Sequence, residues 1–174
     1  KQWDLNIFIN GSVGNKVGNY VKMKLTHMNS PWTNQLTDVS KRAILAPADG
    51  NYSGNWYDNI ANVIVSNPSA TLPRATINDP NDNDAWSDRY VESASYLRLK
   101  SITLGYTFKP ELIHKIGLTN LRLTLNATNL FTITGYDGYD PEVGVSTASA
   151  NVYGLDNGRY PSPTSFAFGL TASF

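Results

Sequence analysis

The sequence predicts an all-β protein: a transmembrane antiparallel β-barrel with long extracellular loops. Polar and apolar residues alternate over runs that are much longer than ordinary strands. Long stretches rich in Asn, Asp, Pro and aromatic residues separate some of these runs, as outer loops separate barrel strands. No apolar run reaches the length that a transmembrane helix needs. The expected strands lie at about residues 3–17, 93–108, 119–133 and 164–174.

The composition narrows the class of protein. The chain has 174 residues, a formal net charge of zero and no cysteine. A neutral chain gives no electrostatic reason to bind nucleic acid. The lack of cysteine excludes a disulfide scaffold and thiolate metal sites.

The first expected strand alternates over about fifteen residues. From Trp3 to Val17 the odd positions are apolar apart from Gly11 and Asn15, and the even positions are almost all polar. At about 3.3 Å per residue and a tilt of about 40–45°, such a strand rises roughly 35 Å along the membrane normal. That length crosses a bilayer and projects beyond it.

The next two strands flank a short turn at residues 109–118, which we expect on the periplasmic side. Their apolar positions are Ile102, Leu104, Tyr106 and Phe108 before the turn, and Leu121, Leu123, Leu125 and Ala127 after it. Pro110 is placed to open a helical turn and Gly117 to close it. The side of this turn that we expect to be buried consists of Leu112, Ile113 and Ile116.

The alternation breaks near Lys100. Leu97 and Leu99 have the opposite parity to Ile102 and Leu104, so Arg98 and Lys100 share the parity of the apolar set. A charge on a lipid face near the membrane centre costs roughly 2–4 kcal/mol. Either a β-bulge near Lys100 exchanges the faces, or this part of the strand lies above the bilayer.

The loops at about residues 20–92 and 134–163 are expected on the extracellular side. The first contains one helix-like pattern, at about Gln35 to Leu45, where apolar residues share a face before Pro47. The stretch Asp79 to Asp84 resembles a calcium loop weakly, because it lacks the glycine and glutamate of an EF-hand. A solvated acidic turn is the alternative to calcium binding.

Four strands do not close a barrel, since the smallest known have about eight. An open sheet edge in hydrocarbon leaves backbone groups without partners. The chain is therefore expected either to be the C-terminal piece of a larger barrel or to share an oligomeric barrel to which each protomer contributes four strands. A soluble β-sandwich that binds carbohydrate is the third alternative, but it needs shorter strands.

Several motifs together resemble the SusC/RagA-like TonB-dependent outer-membrane transporters. Residues 3–17 end in the family's "GSxGNKV" pattern, and Ser87 to Phe108 is similar to its "SDRYVEDGSYLRLKNITLGYTF" segment. The remaining motifs follow in the family's order: Asn129 to Phe131, Gly138 to Val143, Tyr160-Pro161 and the strand that ends in Phe174. Ser93 and Ala94 depart from the acidic-Gly pair, and residues 28–85 contain no motif of the family.

The resemblance implies that the chain supplies the last four strands and the last two outer loops of a 22-stranded barrel. Such a transporter has an N-terminal plug and a SusD-like lipoprotein lid. It imports oligosaccharides or peptides with force from the TonB complex. The final strand resembles the signal that the barrel-assembly machinery reads, with Gly169 and Phe174 in place and Ala167 where a polar residue is usual.

The sequence offers no catalytic site and no cofactor beyond the weak calcium pattern. His27 and His114 are far apart and lack a cluster of carboxylates, so neither a zinc site nor a catalytic triad is expected. Aromatic residues of the outer loops are the candidates for contact with substrate or with the lid protein: Trp32, Trp56, Tyr57, Trp86, Tyr136 and Tyr139. Packing of the loops, or an aromatic belt at the membrane interface, is the alternative role for these residues.

Overall fold

The fold was analysed in a computed structural model, which describes residues 2–143 and 153–174. The chain forms two compact units. The sheet unit comprises Lys1–Gly18 and Val91–Phe174, and the insert unit comprises Asn19–Tyr90. Residues 144–152, which belong to the second predicted loop, lie outside the described residues.

The described residues form mainly strands. In chain order these are β1 (Trp3–Ser12), β2 (Lys16–Asn19), β3 (Leu45–Pro47), β4 (Val63–Val65), β5 (Val91–Ser93), β6 (Tyr96–Thr107), β7 (Asn120–Thr134), β8 (Leu155–Asp156) and β9 (Ser165–Ser173). The α-helices are α1 (Tyr20–Thr26) and α2 (Pro110–Ile113). Short 3-10 helices cover Thr37–Lys41, Trp56–Asp58, Ile60–Asn62, Asp88–Tyr90 and His114–Ile116. Among the described residues, no helix has both the length and the hydropathy required to cross a membrane.

The main sheet has the strand order β1-β6-β7-β9, and every pair is antiparallel. Its register places Leu5 opposite Leu104, Leu104 opposite Leu125, and Leu125 opposite Phe168. Successive side chains of a strand point to opposite faces. The residues two positions before and after this row therefore lie on the same face as the row, and the residues directly beside it lie on the other face. The sheet therefore has one apolar and one polar face.

A β-bulge at Lys100 keeps the two faces continuous. Phe8 pairs with Ser101 and the next residue, Ile9, pairs with Leu99, so Lys100 is an extra residue in β6 relative to β1. The register of β6 and β7 shifts at the same level, between Leu99 and Ser101. Of the two alternatives for the broken alternation, the structure has the bulge.

The first expected strand is shorter than predicted. β1 ends at Ser12, and β2 belongs to a separate sheet with the order β5-β2-β8. Gly14 lies between them with a φ of +83°, in the left-handed region where glycine is favoured. Because this region breaks an extended strand, the single run predicted at residues 3–17 becomes two strands.

The turn after β6 begins with α2, continues into a 3-10 helix and ends at Gly117, whose φ is +77°. Ile113 is buried, as predicted, but Leu112 and Ile116 are exposed. The buried side of the turn is therefore narrower than the sequence pattern indicated, because only one full turn of α-helix forms before the helix tightens.

The insert unit contradicts the prediction of a single helix-like piece at Gln35 to Leu45. Only the 3-10 helix Thr37–Lys41 forms there, while β3 pairs with β4 and Arg42 bridges to Leu72. These pairings engage backbone groups that a longer helix would use, so tertiary pairing overrides the local pattern. The α-helix of this unit is α1, which the sequence analysis missed. The side chain of Asn19 caps it by accepting a hydrogen bond from Lys22 N at 2.9 Å.

The bulge can be tested by deleting Lys100. The deletion removes the extra residue, so regular alternation keeps Leu97 and Leu99 on the apolar face and Arg98 on the polar face. We therefore expect the deletion to keep the folded form, measured as heat- and SDS-resistant mobility of the protein as the cell expresses it. Loss of this resistance in the deletion alone would contradict the assignment of Lys100 as the extra residue.

The control for this deletion is Lys100→Ala, which keeps the extra residue and removes only the ion pair with Glu142. We expect the alanine variant to remain resistant. Equal loss of resistance in both variants would show that the side chain of Lys100, and not the bulge, is required.

Candidate functional site

The apolar face of the main sheet is almost continuous and exposed. Twelve of its large residues are between 36% and 76% exposed: Trp3, Leu5, Ile7, Ile9, Leu97, Leu104, Leu125, Phe131, Ile133, Phe166, Phe168 and Leu170. Contiguous apolar surface of this kind marks contact with protein, membrane or ligand. Alternation across four strands, with polar residues opposite, is the pattern of a lipid-facing barrel wall.

Aromatic rings collect at the end of the sheet near the short turn. The ring centroids of Trp3 and Tyr106 lie 4.5 Å apart, and those of Tyr106 and Phe108 lie 4.9 Å apart. Aromatic side chains favour the boundary between hydrocarbon and water. The cluster is therefore placed as a membrane-interface belt would be.

The polar face carries an ion pair above Gly105. Arg122 Nη2 lies 2.8 Å from Asp4 Oδ2 and so joins β7 to β1 across the intervening strand β6. A Cβ at Gly105 would overlap both charged groups, which explains the glycine at this position. Both side chains are partly exposed, so water and salt screen the pair and it contributes little to stability.

A second and more deeply buried ion cluster lies on the polar face beside the bulge. The side chain of Arg98 is only 5% exposed. Its Nη1 lies 2.8 Å from Glu142 Oε2, its Nη2 bonds to Asp140 Oδ1, and its Nε donates to Thr132 Oγ1 at 2.7 Å. Lys100 Nζ lies 2.6 Å from Glu142 Oε2. The cluster joins β6, β7 and the segment after β7.

Asp140 is ionised in this cluster. Burial raises the pKa of its carboxyl, but the hydrogen bond from Arg98 and those from the backbone N–H groups of Glu142 and Ser162 outweigh burial. The net pKa of Asp140 is lower than its ordinary value. Asp140 is therefore charged at neutral pH. The stability that its carboxylate contributes is lost only as the pH falls through this lowered pKa.

This cluster was not predicted from the sequence as a unit. Asp140 and Glu142 appeared only within the family motif Gly138 to Val143, and Arg98 appeared only as a break in alternation. The break was the available signal, because a cation at an apolar parity must either be turned away by a bulge or be paired. Asp140 and Glu142, the partners of Arg98, lie 42 and 44 positions further along the chain, so no local pattern connects them to it.

Tyr136, a predicted contact residue, is buried in the small core of the sheet unit with Val17 and Ala94. Its hydroxyl donates to Asp156 Oδ2 at 2.6 Å. Burial, followed by this hydrogen bond and the charge of Asp156, raises the pKa of Tyr136 well above its ordinary value. These contacts describe a packing role for the ring.

Of the other predicted contact residues, those in the insert unit do not form a single cluster. In the insert unit Trp32 is 92% exposed, and Trp56 contacts Tyr57 edge-to-face at 5.9 Å between ring centroids. Trp86 packs against Tyr20 and Tyr90 in the same unit. In the sheet unit Tyr139 is exposed. Contact with substrate or a lid protein stays a prediction for these residues.

The two residues of the predicted assembly signal lie on β9 and directly after it. Thr124 Oγ1 donates to Gly169 O at 3.4 Å, and a Cβ at Gly169 would overlap that hydroxyl. Close packing thus gives the glycine a local role within the sheet. Phe174 is 92% exposed at the end of the chain.

The predicted calcium stretch is an acidic turn. Asp79 Oδ1 accepts a hydrogen bond from Asn83 Nδ2 at 2.9 Å, and Asp79 Oδ2 accepts one from Asp84 N at 3.0 Å. Within the described parts of the chain, no group of three or more His, Cys, Asp or Glu residues is placed to hold a metal ion. Calcium binding stays a prediction.

Comparison with known proteins identifies relatives of the whole chain. TonB-dependent receptor P39 of Formosa agariphila is 36% identical over 141 residues, which cover 80% of this chain. TonB-dependent receptor P3 of the same organism is 30% identical over 179 aligned residues that cover all of it. TonB-dependent receptor SusC of Bacteroides thetaiotaomicron is 35% identical over 95 residues, or 52% of the chain. The chain is homologous to SusC-like TonB-dependent receptors. This confirms the resemblance found in the motifs.

The match covers a small part of each of these relatives. The chain spans 13% of receptor P39 and 15% of receptor P3. No protein-family profile matches it.

Solved structures share the fold of the chain. A structure of the RagAB peptide importer in its closed-closed state matches all of this chain with a TM-score of 0.69 and 20% identity, over 16% of that importer chain. The open-open state of the same importer gives a TM-score of 0.68 and 21% identity. The barrel-wall fold is thus supported, although the described residues form no closed barrel.

The energetic difference between the two ion clusters can be tested with matched substitutions. Arg98→Met leaves Asp140 buried without its main partner, and we expect a loss of about 3–5 kcal/mol in the free energy of unfolding. Arg122→Met removes a partly exposed pair on the same face and should leave the free energy of unfolding nearly unchanged. Urea unfolding of the detergent-solubilised protein measures both values. Similar losses in the two variants would contradict the assignment of the buried cluster.

Proposed function

We propose that the chain forms the last four strands of a 22-stranded outer-membrane barrel. The barrel belongs to a TonB-dependent importer in a Gram-negative bacterium. The observation that carries the proposal is the pair of faces on the main sheet, one apolar and exposed, the other polar with its charges paired. The names of the relatives, receptors and an importer, support transport and not catalysis.

The edges of the main sheet support completion of the barrel by further strands. β1 and β9 each have one neighbour in the main sheet. In hydrocarbon, an edge without a partner leaves backbone groups unsatisfied at a cost of several kcal/mol each. Strands from the rest of the transporter would pair with both edges and so close the wall.

The proposed orientation places the turn at residues 109–118 in the periplasm, because outer-membrane barrels have short periplasmic turns. The insert unit and the segment between β7 and β9 then lie on the extracellular side. The remaining partners are a SusD-like lipoprotein as lid, the TonB complex acting on another part of the transporter, and the barrel-assembly machinery reading the final strand. The cargo is an oligosaccharide or a peptide.

The exposed aromatic cluster of the insert unit is the proposed contact for cargo or lid. Tyr52, Trp56 and Tyr57 pack edge-to-face, with centroids 5.7 Å and 5.9 Å apart, while Tyr52 and Tyr57 remain 64% and 60% exposed. Mutual packing holds the rings without covering them, so they offer contact area at low entropic cost.

The lipid-facing assignment can be tested on neighbouring residues of β7. A nitroxide attached to Leu125→Cys should be relaxed by oxygen, which concentrates in hydrocarbon, and shielded from a water-soluble nickel chelate. The same label on Asn126→Cys points to the other face and should show reduced access to oxygen. The measurement is electron paramagnetic resonance on the protein as expressed, in lipid vesicles. Equal access of both labels to the nickel chelate would refute the membrane wall.

The aromatic contact can be tested with Trp56→Ala combined with Tyr57→Ala. We expect capture of the SusD-like lipoprotein to weaken, or uptake of oligosaccharide or peptide mixtures to slow, by about thirtyfold or more, because buried aromatic contacts contribute about 1–2 kcal/mol each at interfaces and every 1.4 kcal/mol is a factor of about ten. Ile77→Ala is the control, since Ile77 is 83% exposed in the same unit and lies outside the cluster. Unchanged capture and unchanged uptake would remove the cluster from the proposal.

A further inference from the structure

The segment that follows β7 is bonded to the polar face by more than its chain connection. Within residues 138–143, here called the strap, Asp140 bonds to Arg98 and Glu142 bonds to both Arg98 and Lys100. Pro141, between the two acids, is buried. Asp140 and Glu142 thus join the strap to β6 at the level of the bulge.

Asp140 also organises the backbone around it. Its Oδ1 accepts a hydrogen bond from Glu142 N at 3.0 Å, and its Oδ2 accepts one from Ser162 N at 3.1 Å. The same two oxygens bond to the guanidinium of Arg98. One carboxylate therefore links the strap, the chain just before β9 and β6.

Arg98 is suited to this position in a way that Lys100 is not. A guanidinium offers five N–H donors in a planar fork, and here they serve Thr132, Asp140 and Glu142 together. Its side chain is 5% exposed and that of Asp140 is 11% exposed, so water competes weakly for these bonds. Among the described residues, Lys100 bonds to Glu142 alone, and its side chain is 26% exposed.

We propose that Arg98 is a positioning residue that clamps the strap to the polar face and makes it a fixed part of the wall. The clamp also fixes the backbone next to Tyr139, whose ring is exposed. One part of this inference rests on the proposed function, namely that the polar face is the interior of a transporter. The clamp itself is a property of the chain.

Amide hydrogen exchange tests the clamp directly, with the protein as expressed and solubilised in detergent. The reporters are the backbone N–H groups of Glu142 and Ser162, which bond to Asp140 and not to Arg98. In Arg98→Met we expect both to exchange on the order of a hundredfold faster, because the remaining buried charge favours local opening. In Glu142→Gln the increase at Ser162 should be about tenfold, since that side chain is 34% exposed and only one bonding acid is neutralised.

Arg122→Met is the matched control, because it removes an ion pair of the same face far from the strap in sequence and should leave both reporters unchanged. The amides of Leu104 and Leu125 report whether the sheet is intact. If Arg98→Met loosens the sheet as well, Glu142→Gln decides, because Glu142 lies outside the strands. Unchanged exchange at Ser162 in both Arg98→Met and Glu142→Gln would overturn the clamp. Equal acceleration in the Arg122→Met control would overturn it as well.

The exchange experiment and the nitroxide experiment fail independently. Slow exchange that persists in the strap variants would remove the clamp and leave the lipid-facing wall standing. Access of water to both β7 labels would remove the wall, while accelerated exchange at Ser162 would still establish the clamp.

Discussion

The extra residue at Lys100 lets β6 meet two opposed requirements at once. Beyond the bulge, Leu97 and Leu99 join the apolar face that Ile102 and Leu104 occupy before it. Arg98 and Lys100 consequently reach the acids of the strap on the polar face. A regular strand with Ile102 and Leu104 on the apolar face would place Leu97 and Leu99 on the polar face and both cations on the apolar face, because its two faces are fixed by a period of two. The bulge therefore underlies both the continuous apolar face and the buried ion cluster.

The two ion pairs on the polar face show how burial changes the role of a charge. Asp4 and Arg122 bridge two strands where side chains stay partly exposed, so their pair adds little stability. Arg98 is almost fully covered, and its cost of desolvation is met only because its donors find acceptors in two segments, β7 and the strap. The buried cluster thus specifies which segment lies against the sheet. The partly exposed pair of Asp4 and Arg122 only joins two strands that the sheet already holds together.

Strands were predictable from the sequence because their alternation is local. The pattern from Trp3, and that from Leu121 to Ala127, needs only neighbouring residues to be read, and the break at Lys100 indicated a bulge as one alternative. The turn at Gly14 was not predicted, since a glycine in an alternating run is ambiguous until its φ is known. The insert unit was expected as a loop, yet β3 and β4 pair across a separation that no short window covers.

Long separation also hid the partners of Arg98, and the environment hid the meaning of the apolar face. The described part of the main sheet has no second layer covering Leu5, Leu125 or Phe168, which remain 59%, 54% and 67% exposed. In water this sheet would forgo most of the hydrophobic stabilisation that normally balances chain entropy. Its inner strands β6 and β7 are paired on both sides, but its apolar surface is stabilised only in apolar surroundings. The surrounding medium must then act as the missing core, which is why the same alternation that predicts the strands also predicts where the protein lies.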